Sequence, residues 1–461
     1  MNNLTQLFAL SPIDGRYNKH TKDLSNYFSE AALIKYRVKV ECLYLLALID
    51  FLDIKVDTDK KLDINNIWSN ITDDDLIRIK DIESKTNHDV KSIEYFIKDA
   101  LRSLKLDNII EMVHFGLTSE DINNLSYSLM LKDSLLEIIF PSIKNILIKL
   151  IEVSEKFAYI PMLARTHGQA ASPTTLGKEM AVFLNRLIDQ VDSLLNIKLK
   201  GKLNGATGNY NAFYVAFPEK DWFEFSNKFV TNLDLEQNIL TTQIEPHDRF
   251  ADIFDLLSRI NNILLDMNID VWQYISLGYF VLEKKADEIG SSTMPHKINP
   301  IDFENSEGNL SLANSLLHFM KDKLTKSRLQ RDLSDSTVLR NIGSVLGYCL
   351  IGYKSIIKGL NKISPNTDKM LDDLNNNIEV LSEGIQTILR AEGFNNSYEL
   401  LKDLTRGNKI YKEDLELWIG NLDIDNSIKI RLLELSTDKY TGIASELAIK
   451  ACQKAKLIIK L

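Results

Sequence analysis

The sequence predicts an all-α protein organised around a bundle of long helices. Three observations predict it. Apolar residues recur at helical spacing over long stretches, only 9 prolines interrupt 461 residues, and no alternating apolar–polar run is long enough for a sizeable sheet. Leu33–Asp53 places Val38, Leu45, Leu46 and Ile49 at helical intervals. Leu125–Tyr159 continues the pattern over an unusual length, with Pro141 as the expected kink or break, because proline lacks the backbone donor. Leu176–Leu199 follows, then Gly201–Asn211, whose Gly and Asn content marks a loop. Phe250–Leu282, Leu310–Leu324 and Val338–Leu360 repeat the helical spacing. A helix of about 25 residues is nearly 40 Å long at ~1.5 Å per residue, so several of them suggest a bundle. Ile260, Ile263, Leu264, Leu265, Met267 and Ile269 cover more than one face of theirs. Such a helix needs apolar neighbours on most sides, which points to burial against other subunits. Ser364, Pro365 and Asn366 mark a boundary before a small helical region that runs to Leu461.

Composition narrows the function classes. With 44% hydrophobic residues the chain can bury a large core and divide into two or three domains. Net charge is −9, with Lys and Arg spread along the chain, which argues against the basic patch of a nucleic-acid binder. An anionic small substrate then needs a local basic pocket. Cys42, Cys349 and Cys452 are far apart and read as free thiols in a reducing compartment. The first residues lack a basic segment followed by an apolar one, and no apolar run reaches the ~18 residues of a membrane span. The expectation is a soluble, cytoplasmic protein.

The chemistry concentrates in Gly290–Asn309. Gly290, Ser291 and Ser292 can wrap backbone N–H groups around an anion. Pro295 and Pro300 stiffen the loop around Lys297 and Asn299, and Asp302, Glu304 and Glu307 suit the first turns of a helix. A hydroxyl, an imidazole (His296), an ammonium and an amide together exceed what a plain surface turn needs. Elsewhere His88, His114, His167 and His247 lie in polar, motif-like contexts. None has the i,i+4 or paired-Cys spacing that metal sites favour, so no metal site is expected. For any one of them a structural role competes, particularly for His247 beside Pro246.

An elimination needs a base for the proton next to a carboxylate, an acid for the leaving nitrogen, and cations where charge builds. His167 suits the acid, since its ordinary pKa lies near neutrality, and Glu304 is a candidate partner for its protonated form. Ser291 is a weak base unless the nest at Gly290 and the charge of Lys297 stabilise its alkoxide.

The Gly290–Asn309 run resembles the signature loop of the fumarase/aspartase superfamily of lyases, which release fumarate by β-elimination. Further segments resemble the bacterial-type adenylosuccinate lyase family: Ser11–Tyr17, Asn87–Asp89, Thr118–Asp121, Thr241–Asp248 and Ser327–Arg340. The similarity runs from Ser11 to the Gly407 region. It implies cleavage of adenylosuccinate to AMP and fumarate and of SAICAR to AICAR, without metal or organic cofactor. It also implies three helical domains, set at 1–112, 113–364 and 365–461, and a homotetramer with a shared helical core and active sites shared between subunits. By the same resemblance His167 is the general acid, Ser291 the general base and Glu304 the group orienting the acid. Lys297 and Asn299 hold the succinyl carboxylates, and Thr118 and Ser119 line the substrate. Arg16, Tyr17, Arg331, Ser336 and Arg340 meet phosphate and ribose, while Asn87, His88, Asp89, Gln243 and Asn305 complete the pocket. Arginine suits phosphate because its planar fork donates two parallel hydrogen bonds, although Arg331 and Arg340 also fit a solvated helix face. One residue departs from the pattern: Ala170 stands where the family has proline after His-Gly-Gln, an exchange that removes no chemical group. Another fumarate-releasing lyase, such as an argininosuccinate lyase-like enzyme, would lack the Ser327–Arg340 segment. A non-catalytic helical scaffold would be free to lose His167, Ser291 or Lys297.

Overall fold

The structure, a computed structural model, describes residues 3–283, 294, 297–394, 397–405 and 410–460. Gly290, Ser291, Ser292, Pro295 and His296 lie outside these residues. The described chain is dominated by helices, with three two-stranded sheets among them, as the helical periodicity predicts. It forms two compact units. One comprises Met1–Ser142, Ser193–Asn261 and Asn309–Gly352; the other comprises Ile143–Asp192, Asn262–Gly308 and Tyr353–Leu461.

In the first unit, Ser29 starts the helix Glu30–Phe51 by accepting the Ala32 N–H at 3.1 Å, which satisfies one of its orphan donors. Its Ile34, Val38, Cys42, Leu45 and Ile49 pack with Ile93, Phe96 and Ile97 of the helix Asp89–Ser103 and with Ile109 and Val113. The helix Ser119–Ser134 is buried from Glu120 to Leu131 on all faces, as a central helix must be. Its expected break at Pro141 takes a particular form. A π-helical turn, Leu135–Ile139, precedes the next helix, Phe140–Lys156, and absorbs the clash proline makes with the preceding turn. The Gly201–Asn211 loop is anchored by a short parallel pairing of Lys200–Gly201 with Glu236–Gln237. Gly208, at φ +75°, lies so close to Thr241 that an added Cβ would come within 2.3 Å of its carbonyl oxygen.

In the second unit, an antiparallel hairpin pairs Pro161–Thr166 with Gln169–Thr175. Its two-residue loop is His167 and Gly168, at φ 53° and 77°, the left-handed pair that fits a tight hairpin turn. Ala170 opposes Arg165 in this ladder and is half-buried against Leu163, Leu374 and Val380. The long helix expected to reach Leu282 ends at Ser276; Phe280–Leu282 instead pairs with Ile363–Pro365. Leu381, Ile385, Leu389, Leu401, Ile410, Leu415, Ile419 and Leu432 form the core of the C-terminal helices.

Candidate functional site

The first unit gathers most of the residues expected to recognise a nucleotide. Asn87 ends the helix Asp73–Thr86 in the left-handed conformation, φ 52°, and the exposed His88 caps the next helix. Its Nδ1 accepts the Lys91 N–H at 3.1 Å. Asp89 Oδ2 then accepts from Arg37 at 2.7 Å and from Arg340 at 3.2 Å, while Arg340 also donates to Glu30 at 2.6 Å. Burial opposes a charge on Asp89, but Arg37 and Arg340 outweigh it and hold its carboxyl below the usual range. Arg37 is buried and further fixed by Asn123 at 2.9 Å. Arg340 is exposed, as is Arg16, whose guanidinium lies 5.9 Å from the Tyr17 ring centroid. His114 is bound to buried Glu41 at 2.5 Å; burial works against its charged form, but Glu41 raises its pKa.

At the start of the helix Ser119–Ser134, two consecutive acids each hold a cation. Asp121 Oδ2 accepts the Thr118 N–H at 2.9 Å, which fixes the half-buried Thr118 and Ser119. Its Oδ1 accepts from Asn204 N at 3.0 Å and Gly205 N at 3.3 Å, and lies 3.1 Å from Lys202 Nζ. Lys202, wholly buried, also donates to the carbonyls of Gly205 at 3.0 Å and Gln243 at 2.6 Å. A buried charge needs such partners.

Glu120 faces the other way, with Oε2 3.2 Å from Arg331 Nη2. Arg331 Nη1 reaches Gln243 Oε1 at 3.5 Å, and Gln243 donates to Ala206 O at 2.9 Å. Asp335 accepts the N–H of Ser336 at 2.6 Å. One ligand-type atom from each of Glu120, His247 and Asp335 lies within 4.8 Å of the others, and all three residues are buried. Two carboxylates and an imidazole resemble a divalent-cation donor set, but here Glu120 already pairs with the Arg331 guanidinium, which supplies the countercharge. Burial, with the charge of Asp335, pushes Glu120 up to about 7 against the pull of Arg331. Burial pushes His247 down to about 4, so its ring is neutral near pH 7, the structural alternative weighed for it from sequence.

The second unit carries the residues expected to do chemistry. His167 is exposed at the hairpin tip. Glu304 lies in the first turn of the helix Ile301–Leu324 and accepts from Trp272 Nε1 at 3.2 Å. Among the described residues no hydrogen bond or ion pair joins it to His167. Asn305 accepts from Ser355 at 2.9 Å, Asn299 is half-buried, and Lys297 is exposed. Sequence reasoning missed the anchoring residues Arg37 and Lys202 and the anchoring roles of Glu120 and Asp121. The lone lysine inside the Gly/Asn-rich loop was the available signal. Among the described residues no helix is long and apolar enough to cross a membrane.

Comparison with known proteins fits this arrangement. A lyase family model matches residues 15–313, and an adenylosuccinate lyase C-terminal model matches residues 327–441. The adenylosuccinate lyase of Haemophilus influenzae is 48% identical over 452 residues, covering 97% of this chain and 99% of its own. That of Escherichia coli is 47% identical over 446 residues, covering 96% and 98%. Among solved structures, a fumarate lyase from Mesorhizobium gives a TM-score of 0.74 at 17% identity, covering 94% of this chain and 97% of its own. The 3-carboxy-cis,cis-muconate lactonizing enzyme of Pseudomonas putida gives 0.73 at 18%, covering 96% and 99%, and likewise shares the fold. On its matches to the family models and to full-length relatives, the chain belongs to the adenylosuccinate lyase family of lyases.

Proposed function

We propose that this protein cleaves adenylosuccinate to AMP and fumarate, and SAICAR to AICAR and fumarate. The observation that carries the reading is full-length similarity to adenylosuccinate lyases, joined to two arginines, Arg331 and Arg340, each held by an acid on either side of Ser336. In the reaction Ser291 removes the proton next to a succinyl carboxylate, the electron pair forms the new C=C bond, and the C–N bond breaks. His167 gives its proton to the departing nitrogen, with Glu304 orienting it. Lys297 and Asn299 neutralise the succinyl carboxylates, where charge develops. Thr118, Ser119, Asn87, His88, Asp89, Gln243 and Asn305 enclose the substrate, while Arg16, Tyr17, Arg331, Ser336 and Arg340 hold its phosphate and ribose.

The same reading includes a cytoplasmic homotetramer of three-domain subunits (1–112, 113–364 and 365–461), active sites shared between subunits, and no cofactor. Exposed Ile148, Val182, Ile269, Trp272, Leu312 and Phe319 on the long helices support oligomeric burial. A substrate panel tests the activity. Absorbance change with adenylosuccinate and SAICAR but not with argininosuccinate is expected; turnover of argininosuccinate alone would overturn it. Mixing His167→Ala with Ser291→Ala subunits after dissociation should regain activity if sites are shared, and no gain in mixed tetramers proven to have exchanged would refute sharing.

A further inference from the structure

The consecutive acids Glu120 and Asp121 appear equivalent in sequence, but their pairings differ. Asp121 is saturated by Thr118, Asn204, Gly205 and Lys202, and Lys202 is closed off from solvent, so this arm serves the fold. The Glu120 arm ends in Arg331, whose side chain keeps 17% of its surface exposed. A guanidinium carries five N–H donors. Here Nη2 meets Glu120, Nη1 makes a long contact to Gln243, and buried Nε makes no hydrogen bond. Asp335 and His247 stand beside Glu120, and neither ring nitrogen of His247 makes a hydrogen bond. A rotamer-rich arginine is thereby fixed from behind while donors remain for another acceptor. An anion that meets an immobilised guanidinium avoids the ordering a mobile one requires.

We infer that Glu120 is a positioning residue for Arg331, holding its guanidinium in the pose that receives the 5′-phosphate of a nucleotide. The inference rests on the assignment of Arg331 to phosphate given above, and its ligand class is the nucleoside monophosphate. Glu120 itself touches no substrate in this scheme.

The test uses the full-length protein and calorimetric binding of AMP, with adenosine as the phosphate-free control. Glu120→Ala should weaken AMP binding by roughly ten- to a hundredfold, the scale of losing one partner of a buried charge pair, while adenosine binding changes by less than about threefold. Glu120→Gln, which keeps an acceptor oxygen at the same reach, should recover most of the affinity. In turnover, KM should rise with kcat nearly unchanged, and the double variant Glu120→Ala/Arg331→Ala should bind AMP no more weakly than Arg331→Ala. If Glu120→Ala fails to fold, Glu120→Asp, which withdraws the carboxylate by one methylene, should weaken AMP selectively. Equal loss for adenosine, or fully multiplying effects of the two alanine variants, would overturn positioning alone. Unchanged AMP binding in Arg331→Ala would remove the phosphate assignment, and this inference with it. Stoichiometric metal in the purified protein, lost in Glu120→Gln, would also overturn it.

Discussion

The two units treat their polar residues in opposite ways, and two histidines show why. His247 in the first unit is buried and pushed down to about 4, whereas His167 in the second stands exposed at a hairpin tip. An imidazole that must carry and release a proton near neutrality cannot bear the desolvation that His247 undergoes. Cations that recognise an anion face a different demand, because fixing them before the ligand arrives reduces the ordering cost of binding. The first unit supplies this with acids placed behind them: Glu120 behind Arg331, and Asp89 between Arg37 and Arg340. Recognition is pre-arranged in one unit, while the proposed acid of the other stays solvated.

The largest effects should come from the proposed chemistry. His167→Ala and Ser291→Ala should each lower kcat by ~10²–10⁴-fold, the usual worth of acid–base catalysis, with unchanged thermal unfolding. Near-wild-type turnover in either variant would remove that residue from its role and blur the contrast between the units.

Next comes the buried Lys202–Asp121 pair. Lys202→Met leaves Asp121 without its cation in a site where both side chains are 0% exposed, and breaking such a pair typically costs about 3–5 kcal/mol. Urea unfolding should show a loss of this order, and Asp121→Asn in the same chain should restore part of it. A loss below about 1 kcal/mol would mean that the pair does not hold the first unit together.

The smallest expected effect is a pH dependence set by His247. Its folded pKa, about 4, lies below the ordinary 6.5, so the unfolded chain takes up the proton first. Its contribution is therefore intact above 6.5 and is lost as pH falls from there through about 4. His247→Asn should flatten the fall of the unfolding midpoint across that window. His114 acts with the opposite sign. Its raised pKa gives stability that is full below 6.5 and fades as pH rises through its folded value.

Several of these features were legible in the sequence, and the reason is local. Helices such as Glu30–Phe51 and Asp248–Ser276 repeat apolar residues over many turns, so their existence is written in nearby positions. Pro141 announced a break because its effect is on its own backbone, although nothing in its neighbours specified a π-helical turn. The His167 hairpin was missed because two short strands around a two-residue loop give no measurable period. Among site residues, His88, Arg331 and Arg340 stood out as polar groups in motif-like runs. Their anchors did not, because a partner is set by tertiary approach: Asn124 meets the Lys202 backbone across 78 positions, and Asp121 meets Lys202 itself. Glu120 and Asp121 read as ordinary first-turn acids until the fold places a cation on each.

The most direct test of the account is product stoichiometry with adenylosuccinate in the presence of chelator, followed by chromatography. The account predicts AMP and fumarate in equal amounts, at full rate without added metal, and neither product from His167→Ala. Absence of fumarate, or turnover that appears only when zinc or magnesium is supplied, would contradict it.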